Sequence, residues 1–247
     1  VPDWGRGGCS TWNTVRPCSA SSFHVELGMR EDAPNNTPSA IAGLLEAGLA
    51  ELRLAVSTAQ LDTLVRFTGA VAKWGQHLNL TGHRDPETIA RRLVLDAAGL
   101  STVLPEVTSL NDLGSGAGFP GIPLAILRPE CRVHLVESRQ RRHHFLREMA
   151  RSLSLPDLSV ERGRIEALKA RPRACAIAQA VGPAAQVLEW ILPWAEENGG
   201  WLAIPASTSS PDLADSRLGA PVVREYTVPL GGPARKLWLA RRSEGLR

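Results

Sequence analysis

Asp112 and Glu137 end two short apolar runs, and Gly114, Gly116, Gly118 and Gly121 stand between them. The stretch from Ser109 to Val136 reads as strand, tight turn, helix start and second strand, with Glu137 closing it. Glycines suit such a turn because they tolerate positive φ and let a ligand approach the backbone closely. A carboxylate ending the second strand suits a ribose, since it accepts hydrogen bonds from both hydroxyls. Together these features make the first half of a nucleotide-binding βαβ unit.

Two ligand classes use that geometry. A nicotinamide or flavin dinucleotide seats its pyrophosphate on free N–H groups at the helix N-terminus. S-adenosylmethionine carries no phosphate, and a glycine turn packs against its amino-acid and ribose parts. Gly116, Gly118 and Gly121 fit the dinucleotide pattern G-x-G-x-x-G literally. Pro120 and Pro123, however, stand where a phosphate needs backbone donors, and proline has none. Asp112, just ahead of the first glycine, suits a ligand bearing an ammonium group. The residues favour the methyl donor over the dinucleotide. A plainer reading leaves the glycines serving only a tight strand-to-helix connection.

The elements that must hold these residues follow from periodicity. Residues 1–37 carry Gly, Pro, Ser, Thr and Asn without period, and the chain opens on Val. They read as a disordered or poorly packed extension, translated upstream of a true start, with Trp4, Trp12 and Phe23 able to dock only locally. After Pro38, the spacing of Ile41, Leu44, Leu45, Leu49 and Leu52 predicts a helix. Ser57 or Thr58 caps a second, which runs to about His77. Asp85-Pro86-Glu87 opens a third, carrying Ile89, Leu93, Val94, Leu95 and Leu100. These three helices, residues 38–104, form a cap on a core domain of residues 105–247, in one compact unit.

From Val107 strands and helices alternate, which predicts an α/β fold with a mainly parallel sheet covered on both faces. Strands are expected at 108–112, 132–137, 157–161, 173–179 and 200–205. Helices are expected at 121–128, 140–153, 165–169 and 184–195. Val222–Val228 and Lys236–Ala240 flank Gly231-Gly232-Pro233 and predict a C-terminal antiparallel hairpin at the sheet edge.

The composition sets limits. A chain of 247 residues buries a sizeable core, and 43% hydrophobic and 21% charged residues are ordinary for a soluble globular protein. A net charge of +3 permits a nucleic-acid partner without demanding one. Cys9, Cys18, Cys131 and Cys175 form no C-x-x-C pair, which argues against zinc and against a disulfide framework. Cys131 and Cys175 read as buried small residues. No apolar run reaches the roughly 18 residues of a membrane helix, and no signal peptide is visible, so the cytoplasm is the expected compartment.

In order along the chain, further residues resemble one family. They are Asn79-Leu80-Thr81, Arg84-Asp85-Pro86, Asp96, the run Asp112 to Pro123, Glu137-Ser138, Arg141-Arg142, Phe145-Leu146 and Arg164-Ile165-Glu166. The pattern is similar to the bacterial small-subunit ribosomal RNA guanine-N7 methyltransferases, also called the glucose-inhibited division protein B family, over about residues 40–242. The resemblance implies a class I S-adenosylmethionine-dependent methyltransferase fold, Rossmann-like, with S-adenosyl-L-methionine as cofactor. It implies 16S rRNA, or the small ribosomal subunit particle, as partner. The expected activity is rRNA (guanine-N7)-methyltransferase, in a monomer with no metal and no membrane association.

Carried over by position, Asp112, Gly114, Ser115, Gly116, Gly118 and Phe119 belong to the cofactor turn. Glu137 and Ser138 take the ribose, and Arg164, Ile165 and Glu166 flank the adenine. Asn79 and Arg142 lie beside the acceptor and are the catalytic candidates. Three positions depart from the family pattern: Gln179 replaces an Arg at the fourth strand's end, Pro205 a Lys, and Leu93 a His after Arg92. All three lost groups belong to the acceptor side. An alternative is therefore a degenerate relative that binds cofactor or rRNA without efficient catalysis. An NAD(P)-dependent oxidoreductase is disfavoured by the prolines.

Two other groups complete the inventory. Arg139, Arg141, Arg142 and Arg147, with His143 and His144, are either an RNA-phosphate patch or the solvated outer face of a helix whose Phe145, Leu146 and Met149 point inward. Trp74, Trp190, Trp194, Trp201 and Trp238 sit in amphipathic patterns and read as core.

Overall fold

Each N-terminal helix starts on a side chain that the sequence supplies. Thr37 accepts the Ala40 N–H at the start of α1 (Pro38–Glu51). Ser57 opens α2 (Thr58–Gly75) with a full capping box, its hydroxyl bonded by the Gln60 N–H and its own N–H donating to Gln60 Oε1. Asp85 accepts the Thr88 N–H at 2.7 Å and starts α3 (Pro86–Ile89). The third predicted helix is not uniform: α3 passes through a π turn, Ala90–Val94, into α4 (Leu95–Val103). A π turn takes in an extra residue and re-aims the side chains beyond it.

This computed structural model describes residues 37–206 and 215–243, all within one compact unit, Asp32–Arg247. The expectations for Trp4, Trp12, Phe23, Cys9 and Cys18 lie outside the described residues.

Seven strands make one sheet: β1 (Ser109–Leu113), β2 (Arg132–Glu137), β3 (Leu158–Arg162), β4 (Cys175–Ile177), β5 (Trp201–Ala206), β6 (Val222–Thr227) and β7 (Ala234–Arg241). Their order is β3-β2-β1-β4-β5-β7-β6. The first five pair in parallel, and β7 inserts antiparallel between β5 and β6. The hairpin is therefore present at the sheet edge, with its second strand paired to β5 and its first outermost.

α5 (Gly121–Leu127), α6 (Gln140–Ser152) and α7 (Ala184–Ile191) connect the strands. Leu110 and Leu135 face one apolar core with α1, α2 and α4 to α6, while Leu113 and Val136 face a second with α7. Both faces are thus covered, as a parallel sheet requires. This is the mixed, mostly parallel sheet of the class I methyltransferase fold. Among the described residues no helix is long and apolar enough to cross a membrane.

Three expected elements come out shorter. Residues 165–169 form a single turn closed on the Arg164 carbonyl by Ala167 and Leu168, too little chain to propagate a helix before Pro172. β4 keeps only the residues paired on both sides, and the chain leaves the sheet through Ala180 at φ +55°. α7 stops at Ile191 and tightens into a 3-10 turn, Leu192–Trp194, because Pro193 supplies no helical N–H.

Candidate functional site

The glycine turn is fastened through its backbone N–H groups, which reach β2, two carboxylates and the turn itself. Gly114, Gly116 and Gly118 have φ of +80°, +58° and +91°, a region closed to most side chains. Gly114 and Ser115 both donate to the Val136 carbonyl, Gly118 donates to the Ser115 carbonyl, and Ile122 to the Gly118 carbonyl. Gly116 donates to Glu137 Oε2 at 2.9 Å, and Gly121 to Asp112 Oδ2 at 3.0 Å. A Cβ at Gly121 would lie 2.4 Å from that same oxygen, so only glycine lets α5 sit this close to β1.

Asp112 is 1% exposed and lines neither cleft beside the turn. Burial raises its carboxyl to about 7, the Gly121 and Ser115 bonds oppose this, and the nearby Glu137 adds to it. The structure therefore gives Asp112 a supporting place under the turn rather than one facing a ligand. Ser115 is likewise buried, its hydroxyl donating to the Asp112 carbonyl.

Glu137, 4% exposed, borders a cleft of about 490 Å³ at the carboxyl end of β2. Its Oε1 accepts the Arg139 N–H at 2.7 Å and the Ser138 hydroxyl at 3.4 Å. Ser138, Arg139, Arg164, Ile165, Glu166 and Trp190 share this cleft. Arg164 and Glu166 pair with each other at 2.8 Å on the rim, while Ile165 is buried. Trp190, expected in the core, is half-buried here and lines the cleft together with Ile165.

A second cleft, about 290 Å³, opens between the turn and the helical cap. Gly114 to Ala117 and Phe119 form one wall, and Leu80, Thr81, Leu93 and Asp96 the other. Phe119 packs on Phe67 of α2 with ring centroids 5.1 Å apart. Arg142 borders both clefts, and its Nε and Nη2 donate to the Asn79 carbonyl at 3.2 and 2.8 Å. Asn79 and Arg142 are thus brought together, but through the Asn79 backbone; the Asn79 side chain is exposed.

Gln179, Ala180 and Tyr226 carry this cleft on into a third, about 410 Å³, bordered by Pro205 and Arg235. All three departures from the family pattern, Leu93, Gln179 and Pro205, line these two clefts.

A polar cluster joins them that no local sequence pattern announces. The Tyr226 hydroxyl donates to Asp96 Oδ1 at 2.8 Å, and Arg235 Nε lies 3.6 Å from Asp96 Oδ2 without a hydrogen-bond partner. Burial raises the Asp96 carboxyl above the usual carboxylate range, against the pull of Tyr226 and Arg235. Burial also raises Tyr226, and Asp96 adds to it. Asp96 is 130 residues from Tyr226, which is why spacing could not reveal the cluster.

On α6, Phe145, Leu146 and Met149 are buried while Arg139, Arg141, Arg147 and His144 face outward. Trp194 and Trp238 are core residues, as are the free Cys131 and Cys175. Among the described residues no group of three or more His, Cys, Asp or Glu side chains could hold a metal ion.

Residues 60–222 match the family model described as rRNA small subunit methyltransferase G. A protein of Leptothrix cholodnii named ribosomal RNA small subunit methyltransferase G is 30% identical over 207 residues, covering 81% of this chain and 95% of that protein. One of the same name from Dichelobacter nodosus is 33% identical over 202 residues, covering 81% and 94%. Among solved structures, a putative O-methyltransferase from Klebsiella pneumoniae superposes with a TM-score of 0.52 at 14% identity, over 79% of this chain and 94% of that one. That likeness is one of fold.

Proposed function

Because the chain belongs to the rRNA small subunit methyltransferase G family, we propose that it transfers a methyl group from S-adenosylmethionine to N7 of a guanine in 16S rRNA. The observation that carries the cofactor assignment is how many N–H groups of the glycine turn the protein itself engages. The N–H groups of Gly114, Ser115, Gly116, Gly118, Gly121 and Ile122 all have acceptors within the protein, and Pro120 and Pro123 have none to offer. A pyrophosphate would find few of the donors that it needs there. A ligand with a ribose and an uncharged base, but no phosphate, fits the turn and the Glu137 cleft.

In this reading Glu137 and Ser138 hold the ribose, and Ile165 and Trp190 flank the adenine. Gly114, Gly116, Gly118 and Phe119 wall the methionine end. When bound, S-adenosylmethionine supplies a methyl group on a sulfonium, already activated for transfer. Guanine N7 has a free lone pair and carries no proton, so no side chain need act as base at that atom. The protein's work is alignment and electrostatics. The Arg142 bond to Asn79 ties the loop after α2 to α6, and so sets the width of the middle cleft, the one between the turn and the helical cap. A monomer without a metal meets these requirements.

A second reading, a relative that binds cofactor but methylates poorly, is favoured by Leu93, Gln179 and Pro205 in the clefts on the acceptor side. Expression in cells lacking their own enzyme of this family, followed by mapping of 16S rRNA methylation, separates the two. Restored modification of the target guanine, lost again with Glu137→Ala, is the expected result. An unmodified guanine despite soluble, cofactor-binding protein would leave only the second reading.

A further inference from the structure

The middle cleft has a charge pattern that the glycine turn alone does not explain. Of the described side chains lining it, Asp96 is the only acid and Arg142 the only cation. They reach it from different elements, Asp96 from the first turn of α4 and Arg142 from α6. The glycine turn passes between the two clefts that Arg142 borders.

Each group also has capacity to spare. Arg142 uses Nε and Nη2 on Asn79, while Nη1 lies 3.9 Å from where a Cβ of Gly116 would stand, beside the turn. Asp96 is 7% exposed, and a carboxylate has about four acceptor positions. Tyr226 fills one, and Arg235 Nε at 3.6 Å is too far for a hydrogen bond. Beyond the Tyr226 bond and the Arg235 ion pair its other acceptor positions are open, because burial removes the water that would otherwise fill them.

The other acids near the turn are already engaged. Asp112 lies beneath it and takes the Gly121 N–H. Glu137 takes two backbone N–H groups and lies in the other cleft. Glu166 is paired with Arg164 on the rim.

A cleft with one anion and one cation facing a backbone wall complements a zwitterion, and the methionine end of the donor is an α-amino acid. We propose that Asp96, oriented by Tyr226, is the acceptor for the ammonium group of S-adenosylmethionine, with Arg142 facing its carboxylate. The assignment rests on the cofactor reading above and corrects its sequence-based version, in which Asp112 had this role. Tyr226 is a positioning residue: its hydroxyl holds Oδ1, while Oδ2, with Arg235 at 3.6 Å, has no hydrogen-bond donor of its own. The arrangement also explains why β6, at the far edge of the sheet, packs on α4. Gly99 makes room for it, since a Cβ there would lie 2.8 Å from the Tyr226 ring.

The test is calorimetric titration of the full chain with three ligands: S-adenosylhomocysteine, its analogue lacking the amino group, and 5′-methylthioadenosine, which lacks the whole amino-acid end. The unmodified chain is expected to bind the desamino analogue about 10- to 100-fold more weakly than S-adenosylhomocysteine, the range of a charge-assisted hydrogen bond. Asp96→Asn is expected to lose a similar factor for S-adenosylhomocysteine, to bind 5′-methylthioadenosine unchanged, and to abolish the desamino penalty.

Equal affinity of the unmodified chain for the amino and desamino ligands overturns the proposal whether or not the variant folds. So does an Asp96→Asn chain that binds S-adenosylhomocysteine normally yet fails to methylate rRNA, which would move Asp96 to the acceptor. Failure of the unmodified chain to bind any of the three would instead remove the cofactor reading, and this inference with it.

Discussion

Asp112 and Glu137 are both carboxylates at strand ends, both nearly buried, and their surroundings set them to different tasks. Glu137 accepts N–H groups from Gly116 and Arg139 and stays at the edge of a cleft. Asp112 accepts one from Gly121 and has no cleft to face. Its carboxyl, raised to about 7 mainly by burial, gives a pH dependence with a definite sign. A folded-state value above the unfolded 3.8 means that the fold binds the proton more tightly than the open chain does. Stability from this group is then highest below pH 4 and falls as pH rises toward 7. At about 1.36 kcal/mol per pH unit, ionisation costs on the order of 4 kcal/mol at most. Asp112→Asn keeps an oxygen for Gly121 and removes the ionisation. The melting temperature of the variant relative to the unmodified chain is therefore expected to climb between pH 4 and 7 and level off above. A difference that stays flat across that range would show that Asp112 ionises normally.

At the scale of elements, the cap and the core are tied by groups that reach across between helix ends. Arg128, just past α5, donates to the carbonyls of Ser101, Leu104 and Pro105 at the end of α4. It satisfies carbonyls that the helix leaves open and favours the negative end of the helix dipole. Burial lowers the Arg128 pKa, so the guanidinium holds its charge there at a cost that the three carbonyls offset. Arg128→Ala is expected to cost about 3 kcal/mol in urea unfolding, from unpaired carbonyls and lost packing. Arg128→Lys should recover only part of it, since one ammonium cannot span the fork. Loss of less than about 0.5 kcal/mol in the alanine variant would mean that water replaces the guanidinium.

What was legible in the sequence divides along the same line. The start of α2 at Ser57 or Thr58, the opening of α3 at Asp85-Pro86-Glu87, and β2 to its last residue depend on neighbours within a few positions and are legible directly. The glycine turn and Glu137 were legible because a βαβ unit is itself local. The cluster of Asp96, Tyr226 and Arg235 depends on β7 entering the sheet ahead of β6, and no period in the sequence encodes that. The place of Asp112 is hidden for a related reason: spacing gives its distance from the turn but not whether the turn closes over it. The amphipathic pattern around Trp190 points to the core, because such a pattern cannot tell a buried face from one that borders a cleft.

For the whole molecule, the clefts lie along the carboxyl end of the sheet, where β1 is flanked by β2 and β4 and the strand order turns back on itself. This is where open α/β sheets bind ligands. The net charge of +3 is too small to steer RNA by itself. Local charge must do so, and α6 presents Arg141 and Arg147 to solvent near the same rim, with no ion pair to either among the described residues. If they meet phosphates, each contact releases counterions and steepens the salt dependence of binding; if they are only a solvated helix face, they do not.

Arg141→Gln with Arg147→Gln tests this without touching the core, because Phe145, Leu146 and Met149 hold the helix in place from its other side. The double variant is expected to keep its affinity for S-adenosylhomocysteine. Its slope of log affinity against log salt, measured on a 16S rRNA fragment, should fall by about 1.5, the loss of two phosphate contacts. An unchanged slope would leave α6 as a surface helix and place the RNA's grip elsewhere on the rim.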